Sequence, residues 1–377
     1  MKRKKLYALI LSAFLFCGCA DPKILEEMGL ITTVGYDLSS SQEIITTMSL
    51  LQVDPTATPN ADIITAKALT SKGGRLQGNR KAPKKLQSGQ LRVALFGTEL
   101  ARNGIISLAD TLARDPAISD LVYLAIVDGE AANLLNQPNS KNMGNIGQSI
   151  YKELEQNVES ESIPSSTLQE SLRDYHSHVQ DSVLPIVSMD NQLISISGLA
   201  LFRDEKMVGR VDSHDGFYIE LLRNRYEAGN IELKMDKDEY EELEPFKSDR
   251  DNVGVVLDTI KSKSKIKLKK QSRNKFQVSV SIDARLLEIT EGIYIDLEKP
   301  KNLHLLEKAI SKKFTREIEE VIDLCQSKES DVFGFGETYR STVGNKGLTR
   351  KKWHKLYKDI EVDVKMDFQI VRTGVVE

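Results

Sequence analysis

The sequence predicts an α+β protein in which mixed or antiparallel sheets are flanked by helices, in two or three domains that follow a cleaved signal peptide. Residues 276–282 and 360–370 alternate apolar and polar side chains, a period typical of strands with one buried face. Between them, apolar residues recur every three or four positions over 303–325, which predicts an amphipathic helix. Strands and helices do not follow regular βαβ units, and this favours α+β.

The first residues predict export. A basic block at residues 2–5 precedes an apolar run over 6–16 and then Cys17-Gly18-Cys19. This order is that of a secretory signal peptide, here residues 1–18, and the run is shorter than the roughly 20 residues that a membrane-spanning helix needs. Gly before Cys resembles a lipobox, so Cys19 is the expected site of diacylglyceryl transfer. Two alternatives stay open: Cys17 as the acceptor, although it follows Phe16, and an ordinary signal peptide with incidental cysteines.

Net charge and cysteine content argue against nucleic-acid binding and against an intrachain disulfide. Removing residues 1–18 takes away four positive charges and moves the formal net charge of the 377-residue chain from −3 to −7. An acidic chain is unlike a nucleic-acid-binding protein, which carries a basic excess. A third cysteine stands at position 325, so no intrachain disulfide is expected after processing, and Cys325 is predicted to be a small buried residue on a helix.

An N-terminal α+β domain is expected over residues 19–192. Strands are predicted at 30–36, 44–53, 63–69, 91–96 and 121–127. Helices are predicted at 99–103, 107–114, 130–135, 150–159 and 166–178. The Gly- and Lys-rich stretch 72–89 is predicted to be an exposed loop with some helix near 82–86. Either Ser165 or Ser166 is expected to cap the last helix.

A C-terminal α+β domain is expected over residues 193–377, with a further division near residue 250 left open. It begins with a predicted β-hairpin, followed by a segment that is either helix or strand and by another strand; these are 193–211, 217–223 and 253–260. The long helix over 303–325 is expected to follow Pro300 and to be capped by Asn302.

The sequence carries no recognised catalytic or metal-binding motif. The five histidines do not form a zinc motif, and there is no G-x-S-x-G nucleophile elbow and no P-loop. These histidines are His176, His178, His214, His304 and His354. We therefore expect no enzyme activity, no metal and no cofactor. Trp353 is expected to be a core anchor.

One basic segment has two open interpretations. Lysines alternate with other residues over 261–269, so a strand would place them all on one face. They are Lys261, Lys263, Lys265, Lys267 and Lys269. Such a face either stays solvated and protects a sheet edge from pairing, or contacts anionic lipid headgroups at a membrane surface.

Several short motifs together resemble the Ger(x)C family, the C subunits of spore germinant receptors. In chain order they are Cys19 with Asp21, 26–31, Gly35-Tyr36-Asp37, 96–101 with Gly104, Arg114-Asp115-Pro116, 198–202, 206–209, 331–337, Trp353 and 372–374. The most specific is Asp-Val-Phe-Gly-Phe-Gly-Glu at 331–337, whose two glycines suggest a tight backbone path. The resemblance covers essentially the whole mature chain.

This resemblance implies a non-catalytic receptor subunit that is needed for the germination response. Such a subunit is anchored by a diacylglyceryl group on Cys19 to the outer face of the inner membrane of the endospore. Its expected partners are two polytopic membrane proteins, an A-type subunit and a transporter-like B-type subunit, and the complex responds to small nutrients. Two alternatives are a solute-binding lipoprotein of a membrane transporter, which predicts two α/β lobes with a hinge, and an envelope hydrolase.

Overall fold

A computed structural model describes most of the chain from residue 28 onward. The described residues are 28–51, 63–137, 145–191, 193–224, 226–227, 229–240, 252–270, 272–290, 295–344 and 347–373. The signal peptide and Cys19 lie outside these residues. Among the described residues, no helix combines the length and the apolar character that crossing a membrane requires.

Nine strands within the described residues form a large sheet in the order β3-β2-β1-β5-β6-β7-β8-β9, with β4 beside β1. Their bounds are β1 Met28–Leu38, β2 Ile44–Leu50, β3 Ile63–Ala68, β4 Lys85–Gln87, β5 Val93–Gly97, β6 Tyr123–Val127, β7 Val183–Asp190, β8 Leu193–Arg203 and β9 Lys206–Val211. The first helices are α1 Ser71–Asn79, α2 Thr98–Asn103, α3 Ile106–Ala113, α4 Ala131–Leu135, α5 Ile146–Glu159 and α6 Leu168–Ser177.

The centre of this sheet is parallel, whereas both sides are antiparallel. Strands β1, β5, β6 and β7 pair in parallel, and α2–α3 and α4–α6 make the crossovers that parallel strands require. Every residue of β5 is buried, which agrees with the continuous apolar sequence of strands covered on both faces. The sheet is therefore mixed, and the expected α+β class is confirmed.

The stretch 72–89 is not the loop that its composition predicts. Ser71–Asn79 forms α1, which Thr70 caps by accepting the N–H of Gly73, and β4 follows. A Cβ at Gly74 would lie 2.3 Å from Oγ1 of Thr46, and one at Gly78 would lie 2.5 Å from Cε of Met48. The glycines are thus needed for close packing of this helix on β2, a requirement that composition alone does not reveal.

The predicted hairpin over 193–211 is confirmed as β8 and β9, and it extends the large sheet next to β7. One sheet thus contains residues on both sides of position 192, and the domain boundary proposed there stays a prediction.

Helix α6, which precedes β7 in the chain, begins at a different cap residue from the one expected. Thr167, and neither Ser165 nor Ser166, caps α6, in a reciprocal capping box with Glu170.

A second sheet has the order β10-β11-β12-β13. Its elements and the helices around it are α7 Ser213–Arg223, β10 Gly229–Asp236, α8 Lys237–Tyr240, β11 Asn252–Leu268, β12 Lys275–Ile289, α9 Pro300–Ser327, α10 Phe335–Val343, α11 Arg350–Tyr357 and β13 Glu361–Thr373. Strands β12 and β13 pair in parallel, and the other pairs are antiparallel. The undecided segment 217–223 is helical, because it continues α7 from the Asp212 cap.

The long predicted helix is confirmed as α9, which lies on β13 and buries the expected apolar face. Its start differs from expectation, since Asn302 does not cap it. Pro300 occupies the first turn, the cap position is Lys299, and the Asn302 side chain donates to the carbonyl of Asp296 (2.9 Å). Cys325 is fully buried on this helix, as predicted.

The two sheets share a hydrophobic core. One cluster of buried residues runs from Leu95 in the large sheet through Phe217 on α7 to Phe314 on α9 and Phe368 on β13. A separate cluster, around Tyr36 and other side chains, fills the opposite face of the large sheet. Burial of apolar surface on this scale is the main favourable term in folding, and here it joins the N- and C-terminal parts of the chain.

Candidate functional site

The segment 331–337, the most specific motif of the sequence, is folded around the carboxylate of Asp331. This carboxylate accepts the backbone N–H groups of Gly334 (2.9 Å), Phe335 (3.1 Å) and Gly336 (2.7 Å). It also accepts the indole N–H of Trp353 (3.0 Å). Asp331 and Trp353 are both fully buried, so the four hydrogen bonds replace the water that this carboxylate loses on folding. Trp353 is thus the core anchor that the sequence predicts.

Both glycines of this motif are required by the backbone path. Gly334 has φ +81°, a left-handed conformation that side chains with a Cβ rarely adopt. A Cβ on Gly336 would lie 2.1 Å from the carbonyl oxygen of Val179 and 2.7 Å from the ring of Trp353. The motif therefore brings α10 into close contact with the chain segment that precedes β7.

Asp181 lies in that segment and connects distant parts of the chain. Its Oδ1 accepts the backbone N–H of Asp204 and its Oδ2 accepts that of Asp331, both at 2.9 Å. The Nε2 of His354 lies 3.0 Å from Oδ2. The backbone N–H of Asp181 donates in return to the carbonyl of Asp331 (2.9 Å). One buried carboxylate thus holds the β8–β9 turn, the 331–337 motif and α11 together.

Arg350 completes the group. Its Nε lies 3.0 Å from Oδ1 of Asp204, which occupies the β8–β9 turn with φ +57°. Its guanidinium stacks over the ring of Tyr175, 4.2 Å from the centroid, and donates to the backbone carbonyl of the same residue. We call Asp181, Asp204, Asp331, Arg350 and His354 the junction cluster.

Two members of the junction cluster have shifted proton affinities. Burial raises the pKa of Asp331 to about 7, although its backbone and indole donors oppose the shift. Burial alone would lower the pKa of His354. The hydrogen bond and charge of Asp181, with the charge of Asp204, outweigh burial, so the pKa of His354 lies above its ordinary value. The Asp181 and Asp204 carboxylates therefore favour the protonated form of His354.

This arrangement also contains potential metal ligands. Donor atoms of Asp181, Asp204 and His354 lie within 4.8 Å of one another. However, Asp181 and His354 are hydrogen-bonded directly to each other, and the guanidinium of Arg350 lies beside Asp204. Because a fixed positive charge next to a ligand repels a cation, the geometry favours an ion-pair network over a metal centre. The cluster thus connects distant parts of the chain through hydrogen bonds and charge contacts.

Two residues of other motifs, Asp37 and Gly97, also have structural roles. Asp37, the last residue of Gly35-Tyr36-Asp37, accepts the N–H groups of Ala131 and Ala132 (both 2.8 Å) and thereby caps α4. A Cβ on Gly97 would lie 2.1 Å from Oδ1 of Asp37, so a glycine is needed at that position.

The structure places the alternating lysines on β11. Lys261, Lys263, Lys265 and Lys267 are exposed on one face of the strand. The strand ends at Leu268, so Lys269 follows it, and Lys269 forms an ion pair with Asp363 (2.8 Å). Cys19 lies outside the described residues.

Comparison with known proteins places these motifs in one family. The family model described as "Spore germination protein N-terminal domain" matches residues 21–189, and "Spore germination B3/GerAC like, C-terminal" matches residues 197–374. Together they cover nearly all of the chain that follows the predicted signal peptide. The chain belongs to the Ger(x)C family of spore germination proteins. Its part in germination follows from this membership, and the resemblance seen in the motifs is confirmed.

Individual Ger(x)C proteins match over their full lengths. Spore germination protein GerQC of Bacillus cereus is 27% identical over 378 residues, covering 100% of both chains. Spore germination protein KC of Bacillus subtilis (strain 168) is 21% identical over 419 residues, covering 99% of this chain and 97% of the relative. The crystal structure of the GerBC protein aligns with a TM-score of 0.50 at 16% identity, covering 90% of this chain and 96% of that one, and so supports the fold.

Sequence reasoning missed most of the junction cluster. Asp181 and His354 are 173 positions apart, and Asp181 and Asp331 are 150 apart. No local pattern reports contacts at such separations. The one available signal was the acidic residue that opens the 331–337 motif, which the sequence marked as specific without revealing what its carboxylate binds.

Proposed function

We propose that this chain is a lipid-anchored, non-catalytic subunit of a nutrient germinant receptor in the inner membrane of bacterial endospores, where it is needed for the germination response. The observation that carries the proposal is the order of the sequence: both Ger(x)C regions, residues 21–189 and 197–374, follow the predicted signal peptide over residues 1–18 and the cysteine at position 19. A second, solute-binding function receives less support, because the described residues of both sheets share one hydrophobic core, whereas that function predicts two separate lobes.

The anchor follows from the chemistry of Cys19. A diacylglyceryl thioether supplies two acyl chains, and each buried methylene contributes about 0.8 kcal/mol to membrane attachment. Two such chains hold a protein firmly to a bilayer, whereas one gives only reversible binding. Export by the signal peptide then leaves the folded chain on the outer face of the membrane.

The non-catalytic role is supported by the use of the motif residues. The carboxylates of Asp37 and Asp331 accept hydrogen bonds from backbone N–H groups. The carboxylate of Asp181 contacts His354 and accepts two backbone N–H groups. The proposed partners are the A-type and transporter-like B-type polytopic subunits of the receptor. The nutrient pocket is assigned to the transporter-like partner, so no ligand is assigned to this chain.

The test is germination of spores that carry Cys19→Ala, with Cys17→Ala as the matched control. We expect Cys19→Ala to release the subunit from the membrane fraction and to abolish the response to at least one nutrient, while Cys17→Ala leaves both unchanged. Membrane retention of Cys19→Ala would overturn the anchor. Release without any change in nutrient response would overturn the receptor role.

A further inference from the structure

Four lysines on β11 form a continuous charged row for which the described residues provide no ion-pair partner. Alternate residues of a strand are about 6.6 Å apart, so the row spans about 20 Å. At its end, Lys269 and Lys275 pair with Asp363 and Glu361. Within the described part of the chain, the four lysines before them have no ion-pair partner; they are Lys261, Lys263, Lys265 and Lys267. We call these four residues the lysine row.

A β-bulge turns the lysine row outward. In the first half of β11 the odd positions, such as Val255 and Leu257, are buried. The register with β12 then moves from Asp258↔Arg285 to Lys261↔Asp283, which inserts one extra residue, and Thr259 adopts φ +50°. After the bulge the even positions point inward and the lysines face solvent. Without this bulge the same lysines would point into the core, so the strand is built to expose them.

We propose that the lysine row contacts the phosphate headgroups of the anionic membrane to which Cys19 attaches the chain. The inference rests on the proposed lipid anchor, which brings the ectodomain to the bilayer surface. Each lysine near an anionic membrane surface raises the equilibrium constant for contact by up to about fivefold. Several such residues would fix how the anchored domain leans on its membrane.

The composition of this face favours lipid over a protein partner. Opposite the lysine row on β12 stand small or polar residues; in register they are Asp283, Ser281, Ser279 and Gln277. Protein interfaces are enriched in aromatic residues and arginine and depleted in lysine. Lysine ammonium groups on flexible stems act as point charges, which suits a mobile array of phosphates, whereas a fixed partner carboxylate favours the bidentate guanidinium of arginine.

The sheet also gives this face a direction. On β13, two strand spacings or about 10 Å from the lysine row, the residues on the same face are mainly acidic. In register they are Gln369, Asp367, Lys365, Asp363 and Glu361. Strand β10 pairs with β11 only as far as Ile260, and beyond it Ser262 exchanges hydrogen bonds with Tyr226 in the segment that follows α7. Because only one of these five β13 residues is basic, attraction at the lysine row would tilt the sheet with β11 toward the membrane.

Amine footprinting of the lipidated chain, without residues 1–18, tests the contact. The protein is reconstituted in vesicles of phosphatidylcholine alone or with about 30 mol% phosphatidylglycerol, and flotation first establishes that it is anchored. The labelling rate of each lysine by an amine-reactive reagent is then read by mass spectrometry. The internal controls are four exposed lysines on other elements: Lys84, Lys85, Lys351 and Lys355.

We expect labelling of the lysine row to slow by about fivefold or more in the anionic vesicles, to recover at high salt, and to leave the controls unchanged. Equal labelling in both vesicles would overturn the proposal. Protection that arises only in membranes containing the other receptor subunits would overturn it in favour of a protein partner. A chain that fails to float would contradict the lipid anchor itself, so the two failures are distinguishable.

Discussion

The imidazole Nε2 of His354 lies 3.0 Å from the carboxylate of Asp181, although the two residues are 173 positions apart in the sequence. Asp181 belongs to the region matched by the N-terminal family model, and His354 to the region matched by the C-terminal one. Both side chains are buried. Their contact therefore links the two matched regions through a buried carboxylate–imidazole pair, in addition to the hydrophobic core that they share.

We expect this pair to behave as one energetic unit. Asp181→Asn and His354→Gln should each reduce the free energy of unfolding by about 3 kcal/mol, because each leaves a buried charge or donor without its partner. The double variant should cost about 1–3 kcal/mol less than the sum of the two. Urea denaturation at neutral pH measures these values. His304→Gln, at an exposed histidine, is the control and should be nearly neutral. Strict additivity would contradict the coupling.

The stability of the chain should fall as pH rises between about 5 and 8. The pKa of Asp331 is raised from 3.8 to about 7, so in this range the folded state binds more protons than the unfolded state. The pKa of His354 is also raised, so its titration likewise lowers stability as pH rises. The stabilisation is present at low pH and is lost as pH passes through the folded pKa values, by up to about 4 kcal/mol for Asp331.

Denaturation midpoints across this pH range measure the effect. His354→Gln should flatten the part of the profile above the ordinary histidine pKa, because the neutral amide no longer titrates. If the free energy of unfolding of the unsubstituted chain rose steadily from pH 5 to pH 8, the raised pKa values of both Asp331 and His354 would be contradicted.

Periodicity predicted the elements that depend on local sequence. The alternation along β12 and β13 and the three- and four-residue steps of α9 each define one buried face, and the structure contains all three elements. The α1 helix was missed, because Gly74 and Gly78 read as turn residues until the side chains of Thr46 and Met48 are placed against them. Local propensity loses there to tertiary packing.

The candidate site was beyond sequence reasoning for a different reason. Asp181 and Asp204 lie among ordinary polar residues in the sequence, and no local pattern predicts that they contact His354 or Arg350. Only the topology, which places the β8–β9 turn beside α11, brings these side chains together. The lysine row shows the same limit, since alternation predicted a common face but not the bulge that directs it outward.

Arg350→Lys should destabilise the chain despite conserving charge. Arg350 stacks on Tyr175 at 4.2 Å, lies 3.0 Å from Asp204 and contacts Nδ1 of His178 at 3.1 Å. An ammonium group cannot keep the planar stack and these contacts together, so we expect a loss of about 1–2 kcal/mol.

Arg114→Lys is the matched control for this substitution. Its guanidinium forms an ion pair with Asp110 one helical turn away, but the Arg114 side chain is 78% exposed. Exposed pairs of this kind contribute little, so the change should stay within about 0.5 kcal/mol. Thermal or urea unfolding of both variants separates the two cases. Equal effects would show that Arg350 acts only through its charge.

Gly336→Ala should be among the most damaging single-methyl additions in this chain. The new Cβ would lie 2.1 Å from the carbonyl oxygen of Val179, and a backbone atom cannot move aside as a flexible side chain can. The displacement would also pull Gly336 N–H from Asp331, whose carboxylate depends on it. We expect a loss of about 3 kcal/mol or more, measured by urea unfolding. Gly89→Ala, where the nearest atom is 3.8 Å away, should be neutral or slightly stabilising. If both variants were equally stable, the 331–337 motif would not be the rigid contact that joins α10 to the segment before β7.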